Sequence, residues 1–174
     1  MNRRVSNKAD FNSFIRNHQG DGLRAVDIET LQVNVGSRCN MFCAHCHVNA
    51  GPDGGAMMDR TVAELILRVV GENRIRTVDI TGGAPELNPH FRYLVDEAWK
   101  AGSHVIVRTN LTVLLEQEMK GLPEFLFARN VEIIASFPGY SENGVDEIRG
   151  TGTFSKGLKV LKRLNEVGFG IGDG

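Results

Sequence analysis

Three cysteines stand close together in the stretch "RCNMFCAHCHV", which spans residues 38–48. Cys39, Cys43 and Cys46 form a C-x3-C-x2-C pattern, and the sequence contains no other cysteine. Three thiolates in one short loop can ligate a metal ion or an iron–sulfur cluster, with His45 and His47 beside them as further possible ligands. The pattern therefore indicates metal or redox chemistry rather than a disulfide.

The spacing of these cysteines fits two kinds of site. Zinc prefers four tetrahedral ligands, and three cysteines with one histidine would close a structural zinc site. A [4Fe-4S] cluster usually takes four cysteines, so three would leave one iron open to bind another molecule. Zinc ligands usually come as two pairs from separate turns, whereas one loop carries all three cysteines here. This arrangement favours the cluster, and we interpret His47 as a structural residue.

The chain alternates between strand-like and helix-like segments from residue 31 onward. Leu31, Val33 and Val35 are apolar at every second position, which is typical of a β-strand. A segment with helical spacing or helical start signals follows each strand. The predicted strands are 31–36, 76–83, 104–110 and 131–137, and the predicted helices are 59–73, 88–102, 111–121 and 154–168.

Start signals and apolar faces define three of these helices. Thr61 and Glu64 predict a capping box for the first, while Asn88 predicts the N-cap of the second, with Pro89 at its first position. Helical spacing predicts one apolar face on each helix. These faces are Val62, Leu65, Ile66, Val69 and Val70 on the first helix, Phe91, Leu94, Val95 and Ala98 on the second, and Phe154, Leu158, Leu161 and Leu164 on the last.

Four strand–helix units with short connections predict an α/β fold with a parallel sheet, either doubly wound or barrel-like. In such a sheet the loops after the strands meet at one edge, where ligands bind. The cysteine loop, "TGGAPE", "TNLT" and "SFPGYSENG" would therefore converge on one site. The chain ends soon after the fourth helix, where a fifth strand is expected.

The composition excludes several classes of partner. The chain has 20 Lys and Arg residues against 21 Asp and Glu residues, which gives no charge excess for binding nucleic acid or an anionic membrane. Its start lacks the apolar run of a secretory signal, and no segment is long enough to span a bilayer. We expect a cytoplasmic protein that binds neither nucleic acid nor membrane.

The cysteine motif after a first strand, followed by a strand that ends in "GG-x-P-E", resembles the radical S-adenosylmethionine (SAM) enzymes. The strings "LQVNVGSRCNMFCAHCHVNAGP", "DITGGAPELNPHF" and "RGTGTF" are more narrowly similar to the arsenosugar-biosynthesis proteins of that superfamily. This resemblance implies a partial (β/α) barrel with about four βα units. Residues 1–30 would form an extension with a short helix around Phe11, Phe14 and Ile15, and residues 31–174 a core truncated before the fifth strand.

The resemblance also implies roles for individual residues. Cys39, Cys43 and Cys46 would hold three irons of a [4Fe-4S] cluster, and the amino and carboxylate groups of SAM would chelate the fourth. Further residues would surround SAM. These are His45, Gly82, Gly83, Pro85, Glu86, Asn110, Ser136 and Arg149.

The implied activity is reductive cleavage of SAM to a 5′-deoxyadenosyl radical, with adenosyl transfer to a trivalent methylated arsenical. Such an enzyme needs a small-molecule acceptor and an electron donor such as flavodoxin or ferredoxin. We expect cysteine at the positions of Thr109 and Gly139 in the arsenosugar group, and this chain lacks both. The alternatives are hydrogen abstraction from a peptide or metabolite, a zinc-stabilised binding module without catalysis, and an inactive fragment.

Overall fold

The computed structural model describes residues 11–19 and 27–171 and contains one four-stranded parallel sheet. The strands follow chain order across the sheet, and each pairs with the next. Val33 pairs with Ile80, Ile80 pairs with Val107, and Val107 pairs with Ile133. The strands are β1 (Thr30–Asn34), β2 (Thr77–Thr81), β3 (His104–Thr109) and β4 (Glu132–Ala135). This confirms the predicted α/β fold with four parallel strands.

Helices connect the strands, as parallel pairing requires. Helix α1 (Phe11–Gln19) precedes the sheet, where a short helix is predicted, and Phe11 and Phe14 are exposed on it. Residues 1–10 and 20–26 of the predicted 1–30 extension lie outside the described residues. The other helices are α2 (Arg60–Glu72), α3 (Phe91–Lys100), α4 (Leu122–Phe127), α5 (Glu142–Arg149) and α6 (Thr153–Val167).

The core lies between the helices and one face of the sheet. Alternate strand residues point to opposite faces, so Val78 and Ile80 face the helices while Asp79 between them points to the other face. The apolar side chains of this layer are almost fully buried, which makes the sheet a rigid base for the loops at its edge. They include Val78, Ile80, Phe91, Leu94, Val95, Val105, Val107, Leu122 and Leu126.

The opposite face of the sheet carries a polar row. The buried carboxylate of Asp79 accepts hydrogen bonds from the Arg108 guanidinium, at 2.9 Å from Nε and from Nη2. Gln32 on β1 donates to the same carboxylate at 2.8 Å. Three adjacent strands are therefore tied together by side chains on the concave side of the predicted barrel.

The start of α2 differs from the predicted capping box. Asp59 is the N-cap, and its carboxylate accepts the backbone N–H of Val62 at 2.9 Å. Glu64 instead pairs with Arg60 one turn earlier on the exposed side. The prediction of Thr61 and Glu64 was wrong because an equally good capping side chain precedes them by one half-turn.

Helix α2 also buries a narrower face than its sequence predicts. Ala63 and Val70 are buried and Ile66 is half-buried, a spacing of three and four residues that forms one stripe. The other apolar residues of the predicted face are exposed, because they lie to the side of this stripe. They are Val62, Leu65 and Val69.

Helix α6 also buries a different face from the one that its sequence predicts. Gly157 and Val160 are buried and Leu158 is exposed, whereas Phe154 and Leu161 are half-buried and Leu164 is buried. A Cβ atom on Gly157 would lie 2.5 Å from the Phe137 ring. The glycine therefore lets α6 pack closely against Phe137, in the loop after β4.

Asn88 is not the N-cap of α3, which is His90. Its amide nitrogen donates to the carbonyl oxygens of Val35 at 2.9 Å and Met58 at 3.0 Å, and its oxygen accepts the N–H of His90. Helix α3 accordingly begins at Phe91, after Pro89 rather than with it. The buried amide ties the chain after β1 to the chain after β2.

The predicted helix over residues 111–121 is wrong. The segment forms two 3-10 turns, Thr112–Leu115 and Gln117–Met119, and the helix that follows is α4. Leu111 has φ 67°, which a regular helix does not allow. Helix α5, where the sequence predicts a loop, begins at Glu142 and is N-capped by Ser141, whose hydroxyl accepts the N–H of Gly144.

Across residues 11–19 and 27–171, no helix has the length and apolar character needed to cross a bilayer.

Candidate functional site

Backbone hydrogen bonds fix the cysteine loop to the end of β2. Gly83 N–H donates to the carbonyl of Gly36 at 2.9 Å, and Ala84 N–H donates to that of Arg38 at 2.8 Å. A Cβ atom on Gly83 would lie 2.3 Å from the Arg38 carbonyl oxygen, and one on Gly82, which has φ 153°, would lie 2.9 Å from the Gly36 oxygen. The glycine pair therefore lets two backbone segments touch.

The three cysteines line one cavity of about 240 Å³ at the carboxyl edge of the sheet. Six further residues that the sequence predicts for this site share its wall, and they come from the loops after all four strands. They are His45, Gly82, Gly83, Asn110, Ser136 and Arg149. The structure therefore brings the predicted residues of four separate loops together.

Pro85 and Glu86 do not line this cavity. Both are buried in a 3-10 turn, Pro85–Leu87, behind the glycine pair. Neither carboxylate oxygen of Glu86 has a hydrogen-bond partner among the described residues. Burial raises the pKa of Glu86 to about 7.

The three thiols have different surroundings. Cys39 is buried and its sulfur lies 3.5 Å from the side-chain nitrogen of Asn110. The Cys46 sulfur accepts the backbone N–H of Ala50 at 3.2 Å. Burial raises the pKa of the Cys43 thiol, and the positive charge of Arg149 opposes that shift. No set of three Cys, His, Asp or Glu side chains within the described ranges is arranged to hold a single metal ion.

Arg149 brings a positive charge to the cavity. It is the last residue of α5, and the backbone of the preceding residue, Ile148, accepts the N–H of Ala44 in the cysteine loop at 3.3 Å. Its Nε is buried and has no hydrogen-bond partner among the described residues. A buried unpartnered donor at a cavity wall suits an anionic group or a sulfur ligand.

Among the cavity-lining residues that the sequence analysis did not assign to the site, two have nitrogen-bearing side chains, namely Arg108 and His47. Arg108 precedes Asn110 by two positions on β3, so the alternation of strand residues could have identified it. Its guanidinium is held by Asp79 below the cavity, so it presents a fixed cation. His47 is exposed beside the cysteines, and nothing in its spacing distinguishes it from a surface residue.

A parallel α/β sheet with a three-cysteine loop at its carboxyl edge is the architecture of an iron–sulfur enzyme domain. A family model described as the Radical SAM superfamily matches residues 33–173, so the chain belongs to the radical SAM superfamily. Enzymes of this superfamily use a [4Fe-4S] cluster and SAM. The predictions of the superfamily and of its cofactors are therefore confirmed, whereas the narrower similarity to the arsenosugar-biosynthesis proteins stays a prediction.

The sequence is similar to curated members of this superfamily. It is 30% identical over 132 residues to mycofactocin maturase MftC of Mycobacterium tuberculosis, covering 75% of this chain and 33% of that protein. It is 25% identical over 132 residues to the antilisterial bacteriocin subtilosin biosynthesis protein AlbA of Bacillus subtilis, covering 75% of this chain and 29% of that protein. The chain thus spans about a third of these relatives.

The fold is also similar to that of SuiB from Streptococcus suis. The TM-score is 0.67 against SuiB bound to SAM, at 21% identity, and the match covers 82% of this chain and 32% of SuiB. Against SuiB bound to the precursor peptide SuiA the TM-score is 0.68, at 21% identity and with coverage of 82% and 31%. These likenesses support the assigned fold.

Proposed function

We propose that this chain binds a [4Fe-4S] cluster through Cys39, Cys43 and Cys46 and binds SAM in the adjoining cavity. The observation that carries the proposal is that the three thiols share one cavity wall with predicted residues from all four strand ends. Cys39, Cys43 and Cys46 would hold the cluster, which would supply the one-electron reduction of SAM that breaks its C5′–S bond to give methionine and a 5′-deoxyadenosyl radical.

The residues of the cavity fit these ligands chemically. Three soft thiolates suit iron, and the soft donor set includes no carboxylate. The charge of Arg149 favours the thiolate form of Cys43 and attracts the carboxylate of SAM. Ser136 at the end of β4 offers a hydroxyl to the ribose, and His45 offers a ring to the adenine. Gly82 and Gly83 contribute by holding the cysteine loop in place.

The acceptor of the adenosyl radical has two candidates. The longer strings around the cysteines and glycines, given above, support adenosyl transfer to a trivalent methylated arsenical. The similarity to AlbA, and the fold shared with a protein solved with its precursor peptide, supports hydrogen abstraction from a peptide. The reaction product distinguishes the two reactions. Adenosyl transfer gives an adenosyl–arsenic adduct, whereas hydrogen abstraction gives free 5′-deoxyadenosine.

The first test is anaerobic reconstitution with iron and sulfide, followed by EPR of the dithionite-reduced protein with and without SAM. We expect a cluster signal that changes when SAM is added, and a variant with all three cysteines replaced by serine should give none. One zinc per chain, with no iron taken up, would contradict the proposal and support a structural zinc site. Product analysis with an arsenical and with a peptide then identifies the acceptor.

We further propose that an acidic electron-transfer protein, such as flavodoxin or ferredoxin, docks beside the cysteine loop. Lys156, Lys159 and Lys162 lie on the exposed side of α6 and have no ion-pair partner among the described residues, and together they form what we call the basic face. Lys156 shares a cavity wall with Phe42, which is 70% exposed and adjoins Cys43. The basic face therefore continues to the loop that would hold the cluster.

Two broader predictions stay proposals. The three clustered free cysteines support a cytoplasmic location. The near balance of acidic and basic residues supports a protein without nucleic-acid or membrane partners. The division into residues 1–30 and a core over 31–174 is supported by the start of β1 at Thr30.

A further inference from the structure

Asn110 makes a contact that its predicted role at SAM does not explain. It follows β3 directly and is 8% exposed. Its side-chain nitrogen lies 3.5 Å from the Cys39 sulfur and 2.8 Å from the side-chain oxygen of Asn40. Both amide protons of Asn110 are therefore directed at the cysteine loop.

The orientation of the Asn110 amide is fixed by a backbone group. The N–H of Val113 donates to Asn110 Oδ1 at 3.0 Å. A backbone N–H can only donate, so the oxygen must face Val113, and the nitrogen must face Cys39. The N–H to sulfur contact follows from this constraint and not from an arbitrary assignment of the two amide atoms.

Three side chains close a ring of hydrogen bonds around this amide. Asn110 donates to Asn40, Asn40 Nδ2 donates to Thr112 Oγ1 at 3.1 Å, and Thr112 Oγ1 donates to Asn110 Oδ1 at 3.1 Å. The Thr112 hydroxyl also lies 3.0 Å from Met41 Sδ, so its one proton is shared between two acceptors. Asn110 uses both of its donors, on Cys39 and Asn40, and its oxygen accepts the Val113 N–H. An N–H hydrogen bond from Asn110 to SAM would require the amide to leave Cys39 or Asn40.

We propose that Asn110 is a positioning residue for Cys39, donating an N–H···S hydrogen bond to the thiolate that carries the cluster, and is not a ligand of SAM. The inference rests on the proposed function, because it needs Cys39 to bind iron. An N–H donor at a cysteine ligand withdraws negative charge from the sulfur and makes the cluster easier to reduce. Cys46 receives a comparable bond from the backbone of Ala50, which side-chain substitution leaves intact.

The test compares Asn110→Ala with Thr112→Val in the reconstituted protein. Asn110→Ala deletes the donor to sulfur, whereas Thr112→Val opens the ring but leaves that donor in place. We expect the midpoint potential of the cluster, from an EPR-monitored redox titration without SAM, to move to more negative values in Asn110→Ala. Thr112→Val should move it less, and the affinity for SAM, measured by titrating the EPR change, should be similar in both variants and the wild type.

An unchanged potential in Asn110→Ala together with a loss of SAM affinity would overturn the inference and make Asn110 a ligand of SAM. If Asn110→Ala takes up no cluster, Asn110→Ser provides the same comparison, because its hydroxyl can accept the Val113 N–H but is too short to reach the sulfur. A wild-type chain that forms no SAM-responsive cluster would instead overturn the proposed function, and this inference with it.

Discussion

Burial of the Glu86 carboxyl makes the stability of the folded chain depend on pH. Its pKa rises from an ordinary 4.5 to about 7 in the folded chain, because burial disfavours the carboxylate. Between these values the folded chain holds a proton that the unfolded chain has released. The stability of the wild type therefore falls as the pH rises through this range, and the loss is complete above pH 7.

Glu86→Gln should remove this pH dependence. An uncharged amide of similar shape avoids burying a carboxylate, and we expect the variant to be more stable than the wild type by about 1–3 kcal/mol at pH 8. Near pH 5 the wild-type carboxyl is protonated when folded, so the advantage should shrink. Urea unfolding at both pH values measures the difference, and an advantage that is equal at both would contradict the assigned pKa.

The close contact at Gly83 gives a second prediction about one residue. Gly83→Ala places a methyl group against the Arg38 carbonyl and should destabilise the chain by about 1–3 kcal/mol while displacing the cysteine loop. Gly55→Ala is the matched control, since a Cβ atom there has no neighbour within 4 Å. Bound iron per chain after reconstitution should fall in the first variant only. Equal iron content in both would show that the loop tolerates the shift.

The sequence identifies residues whose chemistry is unusual and misses those that act through packing. Cysteines at this spacing and a glycine pair after a strand are visible in one sequence. The sequence predicts Glu86 as a residue that binds SAM, because it does not distinguish a buried glutamate from an exposed one. The bond from Asn110 to Cys39 joins residues 71 positions apart, so no local pattern could indicate it.

At the scale of secondary-structure elements, the start of α2 offers a test with two neighbouring residues. Asp59→Ala removes the N-cap bond to Val62 and should cost about 1 kcal/mol of stability. Thr61→Ala should have little effect, because Thr61 is exposed and makes no capping bond in the structure. Urea unfolding of both variants distinguishes them, and a larger loss in Thr61→Ala would restore the predicted capping box.

The sequence predicts the secondary-structure elements whose apolar residues are strongly periodic. It does not predict elements whose conformation is set by side-chain hydrogen bonds. All four strands are predicted because their buried Val and Ile residues alternate or run together. The segment after β3 has helical composition, but the Asn110 side chain binds the N–H of Val113 and a positive φ at Leu111 stops regular winding. Helix α5 was missed because its first residues, "ENG", favour a turn.

For the molecule as a whole, the basic face of α6 predicts how reduction depends on charge. Lys159→Glu should slow reduction of the cluster by a flavodoxin or ferredoxin by about tenfold or more at low salt, since it repels an acidic partner. Reduction by dithionite, a small molecule, should stay unchanged. Arg68→Glu on α2 is the control, because it changes the net charge equally on another surface. Equal slowing in both variants would indicate net charge rather than a docking face.

The order of the strands has a consequence for how the chain reaches this structure during synthesis. Each strand pairs with the one made just before it, so the sheet can grow in one direction as the chain leaves the ribosome. The first pairing spans the longest separation, since Thr30 pairs with Thr77 across the whole cysteine loop, whereas later partners such as Thr77 and His104 are closer in the chain. Closing this first interval carries the largest entropic cost. The pairing that brings the cysteine loop to the sheet is therefore also the strand pairing with the largest loop-closure cost.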